Sequence, residues 1–166
     1  MKVVIVGCGR VGAELAESFA IAGHQVVIID MQTRAFDRLP STFRGSAVRG
    51  NGTDEDVLRR AGAEGADLFL ALTEGDNRNV MAAQVALEEL GIANVIAKVN
   101  DPVRAEAYSH LGLPTLCRTN MMADAVLAFA GLPVKGAPAI MAPRGQHPGG
   151  EEHHRSVVGG LATPEA

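Results

Sequence analysis

The sequence predicts an α/β fold, with a doubly wound sheet of six parallel strands, a last helix and a Pro/Gly-rich tail. Over the first 130 residues, short strand-like runs, the first of them the β-branched residues 3–6, alternate six times with helical patterns. This alternation is typical of parallel sheets with right-handed crossovers. The composition agrees, since the 166 residues are 47% hydrophobic but include only five Phe, one Tyr and no Trp.

The predicted strands are short and mostly apolar, and the first is a continuous β-branched run, as expected of a strand buried on both faces of a parallel sheet. The runs cover residues 3–6, 26–29, 47–48, 67–72, 95–99 and 114–117. A helical pattern follows each run, and the first places Val11, Leu15 and Phe19 four residues apart, on one helix face. The other five patterns cover residues 33–39, 53–62, 77–90, 102–111 and 119–130.

The composition changes after residue 132. Residues 133–166 contain five Pro and six Gly, about a third of the segment. Such a composition favours irregular structure. We therefore expect one folded domain over residues 1–132 and an irregular tail over residues 133–166.

Charge and hydropathy exclude several classes of protein. The formal net charge is −4 and the longest basic run is Arg59-Arg60, which argues against binding to nucleic acid. No apolar run approaches the roughly 18 residues that a membrane-spanning helix needs, and the first residues do not resemble a signal peptide. Two cysteines, Cys8 and Cys117, are too few for a disulfide scaffold and are interpreted as reduced thiols. We expect a cytoplasmic protein.

The most informative motif is G-x-G-x-x-G over residues 7–12, which follows the first strand and opens the first helix. In this pattern Gly7 permits a tight turn, Gly9 lets the backbone approach a pyrophosphate, and Gly12 lets the helix pack closely on the strand. The helix N-terminus offers N–H groups and a positive dipole to phosphates. Asp30 ends the second strand, where a carboxylate accepts hydrogen bonds from ribose hydroxyls and repels a 2′-phosphate. This motif indicates a Rossmann-like nucleotide site for NAD or an adenosine phosphate.

Other polar residues follow the strands at the same edge of the sheet. Arg10 is either a phosphate clamp or a solvated helix residue. Asn51 either contacts an adenine edge or belongs to a turn that precedes a cap by Thr53 or Asp54. Asp76 either meets the distal part of a dinucleotide or caps a helix. Lys98 near the end of the fifth strand must reach solvent or meet an anion.

Two further candidates receive a structural interpretation. Cys8 has no evident His partner, so it is taken to fill the glycine loop rather than to act as a nucleophile. Glu151, Glu152, His153 and His154 form a possible metal-binding tract, but in a Pro/Gly-rich tail a solvated run is favoured, and no metal is predicted.

These residues resemble the TrkA N-terminal domain family, also called the RCK or KTN domain. The resemblance covers residues 1–130 and is strongest in the central stretch. It rests on VVIVGCGRVGAELA, VVIID, GNGTDEDVLRRAGAEGADLFLALT, DNRNVMAAQVA and VIAKVNDPVRAEAY. The family implies a cytoplasmic regulatory domain of potassium channels and uptake systems, peripheral to the membrane through its partner, that binds NAD(H) or ATP/ADP.

The resemblance also implies a set of nucleotide-binding residues. They are Gly7, Cys8, Gly9, Arg10, Val11, Gly12, Asp30, Met31, Asn51, Gly52, Thr53, Leu72, Thr73, Asp76, Asn77 and Lys98. Two of them depart from the family pattern: Asn51 stands where Asp is commoner, and Lys98 stands where Arg is frequent. The second lobe of the family is not recognisable in the last 34 residues.

The favoured function is a nucleotide-sensing regulatory subunit without enzymatic activity. The alternatives are an NAD-dependent oxidoreductase, for which no substrate domain remains, and a Rossmann module that serves only as a dimerisation platform. The last predicted helix is apolar around most of its circumference, and the family implies a crossover helix packed between subunits. We therefore expect a homodimer, or a larger ring, with Met122, Val126 and Phe129 near the interface.

Overall fold

The computed structural model describes residues 1–134 and 140–141. Seven strands form one sheet. They are β1 (Lys2–Val6), β2 (Gln25–Asp30), β3 (Ser46–Arg49), β4 (Leu68–Ala71), β5 (Val95–Lys98), β6 (Thr115–Leu116) and β7 (Ile140–Met141). Five α-helices connect or follow them, with a short 3-10 helix at Thr33–Arg38. They are α1 (Arg10–Ile21), α2 (Glu55–Arg60), α3 (Asp76–Glu88), α4 (Pro102–His110) and α5 (Arg118–Phe129).

The strand order in the sheet is β3-β2-β1-β4-β5-β6-β7. Strands β1 to β6 pair in parallel, which confirms the predicted doubly wound sheet of six parallel strands. The chain leaves β1 towards β2 and β3 on one side and returns to β4 on the other. The order therefore reverses between β1 and β4, where such sheets leave a crevice at the carboxyl ends of the strands.

The seventh strand lies beyond the six that were predicted, in a tail that was expected to be mostly irregular. Ile140–Met141 lies within the segment expected to be irregular, yet it pairs antiparallel with β6. Without β7, the outer backbone groups of β6 would be an open sheet edge. The two apolar residues of β7 are enough to pair with that edge. Residues 135–139 and 142–166, including the tract at 151–154, lie outside the described residues.

Two hydrophobic clusters cover the two faces of the sheet. In β1, Val4 and Val6 join the cluster that includes residues of α2, α3 and α4, whereas Val3 and Ile5 join the one that includes residues of α1. This alternation follows from the period of two along a strand. The run of β-branched residues in β1 is thus buried on both faces, as the sequence predicted.

Helix α5 differs from the other helices because none of its residues is buried. Met122, Val126 and Phe129 are exposed, Phe129 to 96%. Across residues 1–134 and 140–141, no helix is both long enough and apolar enough to cross a lipid bilayer.

Candidate functional site

A cleft of about 470 Å³ opens where the carboxyl ends of β1, β2 and β4 meet. It occupies the point at which the strand order reverses. Its lining combines exposed backbone with two carboxylates and two guanidinium groups. The lining residues are Val6, Gly7, Cys8, Gly9, Asp30, Met31, Gln32, Ala35, Arg38, Gly50, Gly52, Leu72, Thr73, Glu74 and Arg78.

The packing of the chain itself explains two glycines of the G-x-G-x-x-G loop. Gly7 has φ +105°, and a Cβ there would lie 2.8 Å from the backbone nitrogen of Thr73. A Cβ on Gly12 would lie 2.0 Å from the carbonyl oxygen of Gly7. Both positions therefore require glycine for the loop to pass between β4 and α1.

Gly9 differs from its neighbours in the loop. Its φ of −77° is accessible to any residue, and a Cβ placed on it would meet no atom within 4 Å. Gly9 is the N-cap of α1, and no side chain caps that helix. The N-cap of α1 thus lies in the cleft lining, and helix N-termini in such a position bind phosphate groups.

Asp30 links the glycine loop to the end of β2. Its Oδ2 accepts a hydrogen bond from the Cys8 backbone N–H at 2.8 Å, and its Oδ1 accepts one from the Gln32 N–H at 2.8 Å. A carboxylate has about four acceptor sites, so two remain for a ligand. Asp30 therefore shapes the loop in addition to the ligand-contacting role that its position predicted.

The Cys8 thiol lies buried beneath the loop. Burial, and after it the negative charge of Asp30, raise the pKa of Cys8 to about 11, against an opposing effect of Arg38. A thiol with this pKa is protonated at neutral pH and is a poor nucleophile. This agrees with the interpretation of Cys8 as a residue that fills the loop.

The loop after β3 supplies the third wall of the cleft. A Cβ on Gly52 would lie 2.2 Å from Cγ1 of Val6, so this glycine lets the loop approach β1. Asn51 lies just outside the cleft lining, beside a shallow extension formed with Met31, Arg49 and Gly50. Its Oδ1 accepts hydrogen bonds from the N–H and hydroxyl of Thr53, which leaves its amide group free to donate.

Helix α2 resolves one alternative left open by the sequence. Asp54 is the N-cap, and its side chain accepts a hydrogen bond from the Val57 N–H at 3.1 Å. Thr53 is therefore free of the capping role.

Asp76 and Asn77 lie outside the cleft lining and make structural contacts. Oδ1 of Asp76 accepts hydrogen bonds from the backbone and side-chain nitrogens of Asn100, both at 2.9 Å, and Oδ2 accepts one from the Asp101 N–H at 3.2 Å. Burial alone would raise the pKa of Asp76, but these hydrogen bonds and the charge of Arg104 outweigh it and lower the pKa. Asn77 accepts a hydrogen bond from Arg104. The helix N-cap is Gly75 rather than Asp76.

Lys98 is also outside the lining, and it is only 7% exposed. Burial lowers its pKa, reinforced by Arg118 and opposed by the carboxylates of Glu74 and Asp76. Its ammonium group lies within the electrostatic range of cleft residue Glu74 without lining the cleft itself.

Half of the sequence-predicted site residues come together in the lining, namely Gly7, Cys8, Gly9, Asp30, Met31, Gly52, Leu72 and Thr73. The other half are not among the lining residues, namely Arg10, Val11, Gly12, Asn51, Thr53, Asp76, Asn77 and Lys98. The seven lining residues that were not among the predicted site residues are Val6, Gln32, Ala35, Arg38, Gly50, Glu74 and Arg78. No motif in the sequence marks Arg38 or Arg78, which reach the cleft from the 3-10 helix and from α3.

The part of the chain that the structure describes contains no group of three or more His, Cys, Asp or Glu side chains arranged to hold a metal ion. The polar groups of the cleft are instead those that recognise hydroxyls and phosphates.

Comparison with known proteins identifies relatives of this fold. The model of the TrkA-N domain family matches residues 3–119. The Trk system potassium uptake protein TrkA of Streptomyces coelicolor is 48% identical over 127 residues, which are 76% of this chain and 57% of that protein. A Trk system potassium uptake protein TrkA homolog of Archaeoglobus fulgidus is 41% identical over 102 residues, 61% of this chain and 23% of that protein. The chain thus spans little more than half, or less, of these relatives.

A solved structure agrees on the fold. The TrkA-N domain of the inner membrane protein ybaL from Escherichia coli superposes with a TM-score of 0.68. The two chains are 20% identical, and the match covers 77% of this chain and 95% of that one.

Proposed function

The chain belongs to the TrkA-N domain family, as its sequence predicted, and from this premise we propose that it is the nucleotide-binding part of a regulatory subunit. The subunit controls a membrane-embedded potassium uptake system or channel, and acts on the cytoplasmic face of the membrane through that partner. The names of the curated relatives support potassium uptake as the regulated process. The nucleotide binds in the domain of residues 1–132.

The observation that carries the proposal is the open space in front of Gly9. The chain's own packing requires Gly7 and Gly12 but gives no reason for glycine at position 9. A ligand that approaches the backbone to van der Waals distance does give one, because a Cβ would occupy its place. Together with the uncapped first turn of α1, this favours a diphosphate at Gly9.

The carboxylate of Asp30 suits the sugar of an adenosine group next to that diphosphate. Two of its acceptor sites remain for ribose hydroxyls, and its negative charge repels a 2′-phosphate. The adenine ring then lies towards the shallow extension beside Met31 and Asn51. The ligand class is therefore NAD(H) or ATP/ADP rather than NADP. Arg10 and Val11 flank the phosphates from the first turn of α1.

Regulation follows from a population shift. A nucleotide that binds one arrangement of the assembled subunits better than another moves the equilibrium towards it, and the membrane partner responds. The assembly is a homodimer, or a ring of dimers, joined through α5. The apolar exposed residues Met122, Val126 and Phe129 support this interface because a surface helix normally exposes only its polar side.

We assign no catalytic role to the cleft. Its lining contains the thiol of Cys8, and the pKa of about 11 makes this thiol a weak nucleophile at neutral pH. An oxidoreductase on this chain would need a proton-relaying group beside the nicotinamide. Steady turnover of NADH or ATP by the purified protein, abolished by a substitution at Gly9, would contradict this assignment.

A thermal-shift panel tests the proposed function. NAD, NADH, ATP or ADP at about 100 times Kd should stabilise the protein by about 2.7 kcal/mol, a rise in Tm of about 5–10 °C. NADP serves as the control and should give a smaller shift. The absence of a response to all four nucleotides at millimolar concentration would leave the dimerisation platform as the remaining function.

A further inference from the structure

The side chain of Asn79, on α3, is completely buried and makes four hydrogen bonds. Its Oδ1 lies 2.7 Å from the backbone nitrogen of Thr73 and 2.7 Å from the Thr73 hydroxyl. Its Nδ2 lies 2.9 Å from the carbonyl oxygen of Thr73 and 2.8 Å from that of Lys98. Asn79 therefore holds Thr73 by all three of its polar groups.

The chemistry of these partners fixes which way the amide of Asn79 points. The backbone N–H of Thr73 can only donate, so the atom facing it must be the amide oxygen. The two carbonyl oxygens can only accept, so the atom facing them must be the amide nitrogen. Because Oδ1 carries no proton, the Thr73 hydroxyl at 2.7 Å must donate its single proton to Asn79.

The consequence concerns the cleft, which Thr73 lines. With its proton committed to Asn79, the Thr73 hydroxyl has only acceptor sites left for a ligand. The adjacent residue Glu74, which also lines the cleft, presents a carboxylate and is likewise an acceptor. Hydrogen-bond acceptors bind a hydroxyl group, which can donate, and disfavour an ionised phosphate oxygen, which can only accept.

The position of Thr73 in the sheet indicates which part of the ligand its hydroxyl would contact. Strand β1 lies between β2 and β4, so the glycine loop that follows β1 lies between Asp30, at the end of β2, and Thr73, just after β4. With the guanidinium of Arg78 assigned to the diphosphate, the order of groups along the cleft is the acceptor Asp30, the backbone at the N-terminus of α1, and the acceptors Thr73 and Glu74. A sugar, a diphosphate and a second sugar match this order, whereas a sugar followed by three phosphates does not.

We propose that Asn79 is a positioning residue that makes Thr73 a hydrogen-bond acceptor, and that the cleft thereby favours a ligand with a second sugar beyond the diphosphate over one with a third phosphate. This rests on the proposed function, since it specifies which adenine nucleotide the cleft prefers. Arg78 lines the same end of the cleft, and its exposed guanidinium can meet a diphosphate that both ligand types share.

Three ligands that share the ADP group test the proposal by calorimetry on the full chain. ADP is the reference, ADP-ribose adds only the second sugar, and ATP adds only a phosphate. ADP-ribose should bind about 3- to 10-fold more tightly than ADP, the range expected of one neutral hydrogen bond. ATP should bind no more tightly than ADP.

Variants then test whether the tighter binding of ADP-ribose depends on the Thr73 hydroxyl and on its orientation by Asn79. Thr73→Val should remove the advantage of ADP-ribose over ADP, whereas Thr73→Ser should retain it. Asn79→Ala frees the hydroxyl to donate and should shift the ratio of ATP to ADP-ribose affinity about tenfold towards ATP. A loss of stability alone would not move this ratio, and the two Thr73 variants decide the matter if Asn79→Ala does not fold.

Two results would overturn the proposal while leaving nucleotide binding intact. One is ATP binding more tightly than ADP-ribose to the unmutated protein. The other is an ADP-ribose advantage that persists in Thr73→Val. Failure of all three ligands to bind would instead refute the proposed function and this specificity with it.

Discussion

The cleft and helix α5 differ in whether contacts within the described chain explain which residue types are found there. At the cleft, Gly7, Gly12 and Gly52 each have a neighbour that excludes any larger residue, and Gly9 alone of these four faces open space. In α5 no residue is buried, and the large apolar side chains face outwards. The cleft is thus built by the chain itself and fits a small ligand, whereas α5 has an apolar surface whose cover must come from elsewhere. We propose a second copy of the chain for that role.

The largest effect is expected at α5. Phe129→Asp should place an unpaired charge in the dimer interface, at a cost of about 3–5 kcal/mol, and convert the dimer into a monomer or an aggregate. Light scattering at tens of micromolar measures the mass. Ile21→Asp is the control and should leave the mass unchanged, because Ile21 is a large apolar residue that is also exposed, on α1 rather than α5.

A stable monomer of the unmutated protein at that concentration would refute the dimer. The cover of α5 would then be assigned to the tail, and deletion of residues 133–166 should cause aggregation.

A smaller effect is expected at Asp30. Asp30→Ala should weaken nucleotide binding by about 1–3 kcal/mol, because the ribose loses a charged acceptor and the Cys8 N–H loses its own. Asp30→Asn retains an oxygen acceptor for that N–H and should weaken binding less. Calorimetry of both variants separates the contribution of the Asp30–ribose contact from that of the hydrogen bond between Asp30 and the loop. Unchanged affinity in Asp30→Ala would exclude Asp30 from the site.

The smallest effect concerns Asp76, whose contacts are structural. Its folded pKa is lowered from 3.8, so it contributes stability above that pH, and this contribution is lost as the pH falls through the folded pKa. Asp76→Asn should therefore reduce stability at neutral pH and flatten its decline below about pH 4. Denaturant unfolding across pH 2–7 measures this. The affinity of Asp76→Asn for nucleotide should equal that of the unmutated protein. A large loss of affinity would show that Asp76 belongs to the binding site.

Local signals in the sequence were enough for the glycine loop and its carboxylate. The spacing of Gly7, Gly9 and Gly12 between a strand and a helix, with Asp30 ending the next strand, depends only on the order of elements along the chain. The same holds for the six parallel strands, because each is a short, mostly apolar run between helical patterns.

The remaining features depend on contacts between distant parts of the chain. Arg38 and Arg78 reach the cleft through the packing of two helices, and no motif marks them. Asp76 has the position of a ligand or a cap, but the backbone of Asn100 and Asp101 takes its carboxylate. Strand β7 has only two residues, which is too short for any periodicity, and forms because β6 offers an edge.

The measurement that tests the central claim most directly compares two helix-capping glycines. Gly9 caps α1 inside the cleft and Gly75 caps α3 outside its lining, both have negative φ, and a Cβ on either would meet no protein atom closer than 3.8 Å. Gly9→Ala and Gly75→Ala should therefore both fold, each within about 1 kcal/mol of the unmutated protein. In calorimetric titrations with NADH and ADP, Gly75→Ala should bind as the unmutated protein does. Gly9→Ala should lose about 10- to 100-fold in affinity, because its methyl group occupies the place of the diphosphate. Equal affinities of the two variants would contradict a nucleotide at Gly9.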